Sequence, residues 1–488
     1  LHVADAEHTC YDEDAQLELR RTLPFATCCW EEGLYLSQAP RPILDEVRAF
    51  ARTYEAFHQL PALAAPPAAW DPVWCSWYGI KMAVDADYIR RQAPLLADWG
   101  FGSLIVDAGW FRPDAFDEGT GHYHPDPAKF PDLAGLVSQV QAQGLKILLW
   151  CSPLFHLDGI HTQPFVASHL HRPESSAENL RFLCPRSRAV REYACRTVRH
   201  LLGTYGADGL KIDFIDPLMD RACQPCAGDH EHDIADYGEA VHALLQGIHQ
   251  AARSVRPDAL LEFRMNYSTL ATRPFATSHR AQDSPFDFDH IRRMCTRLKS
   301  YIVDPAKGRQ GNVAVHTDPA YWLPAESPEN VACFMASLVT SAVPMLSMDL
   351  GALPEEHQRL VRAWLRFYRQ HQDLILFGED QLLDADPHHS LFCRWRGDQA
   401  LWGLFTPAIP GRLQVPAPGI RELWLLNGSE AGEVGVRLEG LDTGQGEIEV
   451  YDRGLEPRHH FGLQVSGGIA RLDTAVEKGG ALRILLGG

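Results

Sequence analysis

Short apolar runs alternate with longer helical patterns from Trp70 to about Phe377, and this alternation constrains the fold more than any other feature of the chain. Eight runs have the length of a strand and are mostly apolar throughout, as is typical of parallel strands covered on both faces. The predicted strands are Val73–Trp77, Ser103–Ala108, Lys146–Cys151, Gly209–Phe214, Leu260–Met265, Ser278–Gln282, Asn312–His316 and Ala342–Met348.

The segments between these runs have the signals of helices. The clearest ones begin after Asp85, Pro131 and Ser187, and each ends at a glycine. Eight strand–helix repeats over about 300 residues predict a (β/α)8 barrel. A doubly wound sheet would need a Gly-rich phosphate-binding turn after the first strand, and the sequence 77–80 is not such a turn.

The regions on either side differ in composition. Residues 1–69 form a short N-terminal extension, with one amphipathic helix over Asp45 to Phe57 and a Pro/Ala-rich linker from Leu60 to Ala69. Residues 378–488 contain brief strand-like runs broken by Gly and Pro, which predict a β domain. The predicted fold class is therefore α/β: a (β/α)8 TIM barrel over residues 70–377, a C-terminal antiparallel β-sandwich domain and the N-terminal extension.

The charge of the chain limits its partners. It has 45 Lys and Arg against 63 Asp and Glu, a formal net charge of −18, and no basic run, so we expect no nucleic-acid partner. No apolar stretch is long enough to span a bilayer, so we expect no membrane partner. No signal peptide is visible, which predicts a cytoplasmic protein, although the chain begins at Leu1 rather than Met.

The cysteines include one CxxC, Cys223 to Cys226, followed closely by Asp229-His230-Glu231-His232. This arrangement matches only half of a zinc-ligand pattern, so a metal knuckle, a loop disulfide and a plain loop all remain open.

Charged and aromatic side chains stand at the predicted carboxyl ends of the strands, where the function of such a barrel is located. These residues are Trp77, Tyr78, Asp107, Trp150, Lys211, Asp213, Arg264, Asn266, Arg280, Asp283, His316, Asp318 and Asp349. Trp77, Trp110 and Trp150 are the aromatic residues that we predict as a sugar platform.

Lys211 and Asp213 are two residues apart in one strand, so both point into the barrel mouth. An ammonium group favours the ionised carboxylate that a nucleophile requires, although the same pair could serve only as a buried ion pair. Asp283, two strands further on, supplies a second carboxylate for general acid catalysis, with Arg280 close enough to hold a hydroxyl. Two carboxylates in different environments are what glycosidic bond cleavage needs; a solvated loop aspartate is the alternative.

Six motifs in register resemble glycoside hydrolase family 36, the α-galactosidase and raffinose-synthase-like family of clan D. They are Trp74-Cys75-Ser76-Trp77-Tyr78, Val106-Asp107-Ala108-Gly109-Trp110-Phe111, Lys129-Phe130-Pro131, Gly144-Leu145-Lys146, Lys211-Ile212-Asp213 and Arg280-Ala281-Gln282-Asp283.

The resemblance implies a retaining α-glycosidase that uses no metal or organic cofactor and acts on a small α-linked carbohydrate by double displacement. It implies that Asp213 is the nucleophile and Asp283 the acid/base, and that Asp107, Lys211 and Arg280 hold sugar hydroxyls.

Two departures bear on the sugar that is recognised. Asp107-Ala108 stands where α-galactosidases typically carry two aspartates, and the fifth strand lacks the usual pattern, so Arg264 or Asn266 is expected to read a substituent on the sugar. The N-terminal extension is much shorter than the β-sandwich of family members and is interpreted as its remnant, so a homo-oligomer remains only an option.

Four alternatives to an α-galactosidase stay open. They are a raffinose-synthase-like galactosyl transferase, a glycosidase for another sugar such as α-N-acetylgalactosamine, a non-hydrolytic carbohydrate-binding barrel, and a metal-dependent hydrolase suggested by the 23 histidines.

Overall fold

Eight parallel strands form the central sheet of the protein, and each lies within one of the eight predicted runs. A computed structural model describes residues 9–11, 17–19, 43–61, 65–111, 123–157, 180–215, 231–264, 267–382, 390–406, 411–429, 433–441 and 444–487. The strands are β1 Val73–Cys75, β2 Ser103–Val106, β3 Lys146–Cys151, β4 Gly209–Ile212, β5 Leu260–Arg264, β6 Ser278–Arg280, β7 Ala314–His316 and β8 Met345–Leu346.

The sheet closes on itself. Each strand from β1 to β6 pairs in parallel with the next, and β8 pairs with β1. Between β7 and β8 the gap is bridged by backbone hydrogen bonds, in which Thr317 donates to Val343 at 3.0 Å and Ala320 donates to Met345 at 2.9 Å. The predicted (β/α)8 barrel is therefore confirmed.

Helices surround the barrel and begin and end where local chemistry dictates. The Asp85 side chain accepts a hydrogen bond from the Tyr88 amide at the start of one helix, which ends at Gly100 in the left-handed conformation. The helices are α1 Ile43–Phe57, α2 Trp77–Ile80, α3 Ala86–Trp99, α4 Leu133–Gln141, α5 Arg188–Thr204, α6 Tyr237–Val255, α7 Phe288–Ile302, α8 Pro328–Ser341, α9 Glu355–Gln370 and α10 Gln372–Phe377. In the described part of the chain, none of them is both long and apolar enough to cross a bilayer.

Several strands stop before their apolar runs do. The run from Val73 ends as a strand at Cys75, because Trp77 begins the short helix α2. The run from Gly209 ends as a strand at Ile212, and Phe214 takes a φ of 51°. The residues beyond the strand ends turn outward and build the mouth of the barrel.

The predicted linker ends in a packed segment. Pro67–Trp70 forms a 3-10 helix in which Trp70 is buried, and the Trp70 carbonyl accepts hydrogen bonds from Tyr368 and Gln372. Prolines interrupt the regular hydrogen bonds of helices and sheets, but they do not prevent tertiary packing. The sequence pattern did not reveal this packing.

Two sheets follow the barrel and enclose a second apolar core between them. The seven-stranded sheet contains Glu379–Leu382, Leu391–Arg396, Gln399–Leu404, Glu422–Asn427, Gly444–Tyr451, Pro457–Val465 and Ala481–Leu486. The three-stranded sheet contains Arg412–Gln414, Glu433–Glu439 and Ile469–Ala475. Most neighbours are antiparallel as predicted, and one pair in each sheet is parallel.

Candidate active site

Two carboxylates stand at the carboxyl ends of barrel strands at different depths. Asp213 directly follows β4 with 11% of its side chain exposed, whereas Asp283 lies three residues after the end of β6 with 42% of its side chain exposed. One carboxylate therefore lies at the floor of the barrel mouth and the other at its rim.

Asp213 is held by donors on both oxygens. The Trp150 indole N–H donates to Oδ2 at 3.1 Å, and the Phe214 amide donates to Oδ1 at 2.9 Å. Phe214 itself has a positive φ of 51°, a strained conformation of the kind that clusters at functional sites. Burial would raise the pKa of Asp213, but the charges of Lys211, Arg264 and Arg280 lower it, so the group is ionised.

Lys211 pairs with Asp107 rather than directly with Asp213. Its Nζ lies 2.6 Å from Asp107 Oδ2, and both side chains are buried. The Cys75 thiol donates to the same Asp107 oxygen at 3.1 Å. The expected effect of Lys211 on Asp213 thus acts through space, and Asp107 sets the position of the ammonium group.

Asp283 is ionised as well. Arg280 donates to Oδ1 at 2.8 Å, and Arg264 donates to Oδ2 at 2.7 Å. Burial raises the pKa of Asp283 and these two guanidinium groups lower it, and the net shift is downward.

Arg264 contacts both carboxylates at once. Its Nη1 lies 3.3 Å from Asp213 Oδ1, and its Nη2 lies 2.7 Å from Asp283 Oδ2. A single planar guanidinium therefore bridges Asp213 and Asp283 through its two terminal nitrogens.

Arg280 is the centre of a buried carboxylate cluster. Its side chain contacts Asp318 and Asp283 through Nη1, and its Nε lies 3.5 Å from Glu262. Asp318 also accepts from the Ser284 amide at 2.8 Å and from the Tyr78 hydroxyl at 3.3 Å. Burial raises the pKa of Asp318 to about 7 against the charge of Arg280, and the charge of Asp283 adds to the rise.

Glu262 and His316 continue this cluster through the barrel interior, and the sequence analysis gave Glu262 no role. His316 Nδ1 lies 2.9 Å from Glu262 Oε2, and its Nε2 lies 2.9 Å from the Ala69 carbonyl. Both ring nitrogens of His316 therefore lie within hydrogen-bond distance of an acceptor. The signal that could have identified Glu262 is an acidic residue inside an otherwise apolar strand.

The predicted aromatic residues take different positions. Trp77 is half-buried at the start of α2, whereas Trp110 and Trp150 are buried. The Trp110 indole donates a hydrogen bond to the Trp150 carbonyl at 3.1 Å, so Trp110 lies next to the Trp150 backbone. Trp150 reaches the candidate site through its N–H, and its role as a stacking face stays a prediction.

Some predicted features lie outside the described residues. Asn266, Cys223, Cys226, Asp229 and His230 are among them. Within the described residues, no group of three or more His, Cys, Asp or Glu side chains is arranged to hold a metal ion.

The fold and the site together define a (β/α)8 barrel with carboxylates and guanidinium groups at its mouth. The α-galactosidase AgaA of Geobacillus stearothermophilus, a family 36 protein solved with stachyose, is similar over 90% of this chain and 59% of that chain, with a TM-score of 0.60 and 15% identity. The resemblance to glycoside hydrolase family 36 is therefore confirmed at the level of the fold.

Curated relatives match over short segments. A probable α-galactosidase G of Emericella nidulans is 32% identical over 90 residues, which is 16% of this chain and 12% of the relative. An α-galactosidase of Escherichia coli is 27% identical over 112 residues, 22% of this chain and 16% of the relative. No protein-family model matches the chain. The matched segments span less than a fifth of either curated relative.

Proposed function

We propose that this protein is a retaining α-glycosidase of the α-galactosidase type. The observation that carries the proposal is that Asp213 and Asp283, on different barrel strands, meet at the same guanidinium group. Glycoside hydrolysis requires two carboxylates that flank one glycosidic bond. The resemblance to α-galactosidases supports a terminal α-galactosyl unit as substrate, and the stachyose bound by AgaA supports a small oligosaccharide.

The different depths of Asp213 and Asp283 in the barrel mouth suit a double-displacement mechanism. Asp213, deep and ionised, attacks the anomeric carbon and forms a glycosyl ester while the bond to the leaving oxygen breaks. Asp283, at the rim, gives its proton to that oxygen and then takes one from the water that hydrolyses the ester. The sugar ring lies inward in this arrangement, and the leaving group lies towards solvent.

Asp283 must gain a proton before it can act as an acid. A sugar ring that enters between the carboxylates separates Arg264 from at least one of them. Loss of that cation raises the pKa of Asp283, since its remaining partner Arg280 is shared with Asp318 and Glu262. Entry of the substrate thus favours the protonated form of Asp283 that general acid catalysis requires.

The hydroxyl groups of a sugar bound between the two carboxylates need hydrogen-bond donors and acceptors close by. Lys211, Asp107 and Arg280 are the charged residues that we propose hold them, in line with the family resemblance. Ala108 follows Asp107 directly and offers no carboxylate, so the proposed preference for galactose rests on the remaining groups.

The decisive experiment replaces the nucleophile. Asp213→Gly should abolish hydrolysis of p-nitrophenyl α-D-galactopyranoside, and added azide should restore release of p-nitrophenol with β-galactosyl azide as product. Asp87→Gly, at an exposed aspartate of α3, is the control and should keep full activity. Retained activity of Asp213→Gly would exclude this nucleophile. A parallel panel of N-acetylgalactosamine, glucose and L-arabinopyranose glycosides tests the sugar, and an excess of sugar acceptor tests transfer.

A non-hydrolytic carbohydrate-binding barrel is the second candidate. The observation that favours it is the position of Arg264. Its positive charge lowers the pKa of both carboxylates, so neither is protonated in the free site. Sugar binding detected by calorimetry, with no product after prolonged incubation across the panel, would support this candidate; measurable turnover would exclude it.

A further inference from the structure

Phe286 is an exposed aromatic residue beside the candidate acid/base. It lies three residues after Asp283 and is 69% exposed. We propose that Phe286 is the platform of a leaving-group subsite that binds a ring with an apolar face. This inference rests on the proposed function and adds the chemical class of the group that is released.

The backbone around Phe286 is fixed on both sides. The Ser284 amide donates to Asp318 at 2.8 Å, and the Tyr321 amide donates to the Pro285 carbonyl at 2.9 Å. One residue further on, Asp287 caps α7 by accepting from the His290 amide at 2.9 Å. The ring is therefore carried by a segment tied to β7, to the barrel core and to a helix, so its exposed position is built into the fold.

Two tyrosines extend the aromatic surface. The ring centroids of Phe286 and Tyr321 are 5.8 Å apart in an edge-to-face arrangement, and those of Phe286 and Tyr78 are 6.4 Å apart. The Tyr78 hydroxyl contacts Asp318, so this aromatic rim of Tyr78, Phe286 and Tyr321 is continuous with the carboxylate cluster. Leu323, two residues beyond Tyr321, is also exposed.

The position of Asp283 identifies the occupant. An acid/base contacts the oxygen that joins the sugar to its leaving group, and the sugar lies inward, towards Asp213. The leaving group then lies outward, on the side where Phe286 is exposed. A flat aromatic ring in water gains most from contact with another ring or with the C–H face of a pyranose.

The charge near the aromatic rim narrows the chemical class of the leaving group. Asp287 directly follows Phe286, whereas Asp283 and Asp289 are each paired with arginine side chains. The carboxylate of Asp287 disfavours an anionic leaving group such as a phosphate at this position. We infer a neutral ring, either the second pyranose of an oligosaccharide or an aryl group.

Binding to an inactivated protein tests the subsite without turnover. In Asp213→Asn protein, calorimetry should show melibiose binding more tightly than galactose by roughly 3- to 10-fold. Adding Phe286→Ala should remove most of that difference, and adding Phe286→Tyr should keep it, because a flat ring remains. Phe57→Ala, at a 79% exposed phenylalanine of α1, is the matched control and should keep it too.

Kinetics of the active protein distinguish the two ring types. Phe286→Ala should lower the ratio of kcat/KM for melibiose to kcat/KM for α-galactosyl fluoride by roughly 3- to 10-fold if the subsite takes a pyranose. The same loss for p-nitrophenyl α-galactoside alone would assign it to aryl groups.

Each outcome separates the subsite from the proposed function. Equal affinity for melibiose and galactose in Asp213→Asn protein overturns the subsite even if hydrolysis is observed. Tighter melibiose binding that depends on Phe286, without any hydrolysis by the unmodified protein, supports the subsite and overturns the glycosidase proposal. Absence of binding to either sugar overturns both.

Discussion

Arg264 donates a 2.7 Å hydrogen bond to Asp283, the carboxylate that we propose carries a proton when the glycosidic bond breaks. The same guanidinium also lies 3.3 Å from Asp213. A cation favours the nucleophile, which must be ionised, and opposes the acid, which must not be. In the proposed mechanism the free site therefore suits only the nucleophile, and the acid requires that Arg264 move when the sugar enters.

Replacing Arg264 should therefore move both limbs of the pH profile in the same direction. In Arg264→Gln the pKa values of Asp213 and Asp283 should both rise, because each loses a nearby cation. Since kcat/KM reports the free enzyme, its acidic and basic limbs should both shift upward. Arg90→Gln, at an exposed arginine that pairs with Asp87, should leave the profile in place. Limbs that move in opposite directions, or not at all, would contradict this account.

The Lys211–Asp107 pair should behave as a buried ion pair. Lys211→Met leaves the Asp107 carboxylate buried without its ammonium partner and should cost about 3–5 kcal/mol of unfolding free energy, measured in urea at pH 7. The double variant Lys211→Met, Asp107→Asn should lose much less than the sum of the two single losses.

Lys146 provides the matched control for that experiment. It pairs with buried Asp208 at 3.0 Å, but Arg256 also contacts Asp208 at 2.6 Å. Lys146→Met should therefore cost about 1 kcal/mol or less. Equal losses at Lys211 and Lys146, or additive losses in the double variant, would show that burial of the pair is not what matters.

The barrel could be predicted because its signals are local. Parallel strands covered on both faces are apolar throughout, and helices such as Ala86–Trp99 have a capping aspartate at one end and a glycine at the other. The two-residue period of a strand also predicted that Lys211 and Asp213 share one face of the run Gly209–Phe214, although the strand itself ends at Ile212.

The partners of those side chains could not be predicted in the same way. Lys211 reaches Asp107 because inward side chains from alternate strands share a layer in the barrel, here from β2 and β4, and a period within one strand carries no such information. Arg264 spans two carboxylates through a long side chain whose direction depends on the whole mouth. Phe286 was missed because an apolar residue is normally expected to be buried.

Asp318 should make the stability of the protein depend on pH between about 4 and 7. Its folded-state pKa of about 7 lies above the ordinary value near 4, so the folded protein retains a proton that the unfolded chain has lost in this window. The native state therefore loses stability as the pH rises. The pKa values of Asp213, Asp283 and Glu262 are lowered, so their contributions change below this window.

Asp318→Asn removes this titration and keeps the shape of the side chain. From pH 5 to pH 8 the unfolding free energy of the variant, relative to the unmodified protein, should rise by on the order of 2 kcal/mol. Urea unfolding at several pH values measures the difference. A difference that stays constant with pH would place the titration elsewhere.

Asp283 should reveal its role through the leaving group. Asp283→Ala cannot protonate the departing oxygen, so kcat/KM for melibiose should fall by roughly 10²- to 10⁴-fold, whereas an activated dinitrophenyl α-galactoside, which leaves without a proton, should lose far less. Azide should then accelerate the second step and yield α-galactosyl azide, since two inversions precede its release. Asp98→Ala, at an exposed aspartate that pairs with Arg362, is the control. Equal losses on both substrates would assign Asp283 to sugar binding instead, because only an acid distinguishes good leaving groups from poor ones.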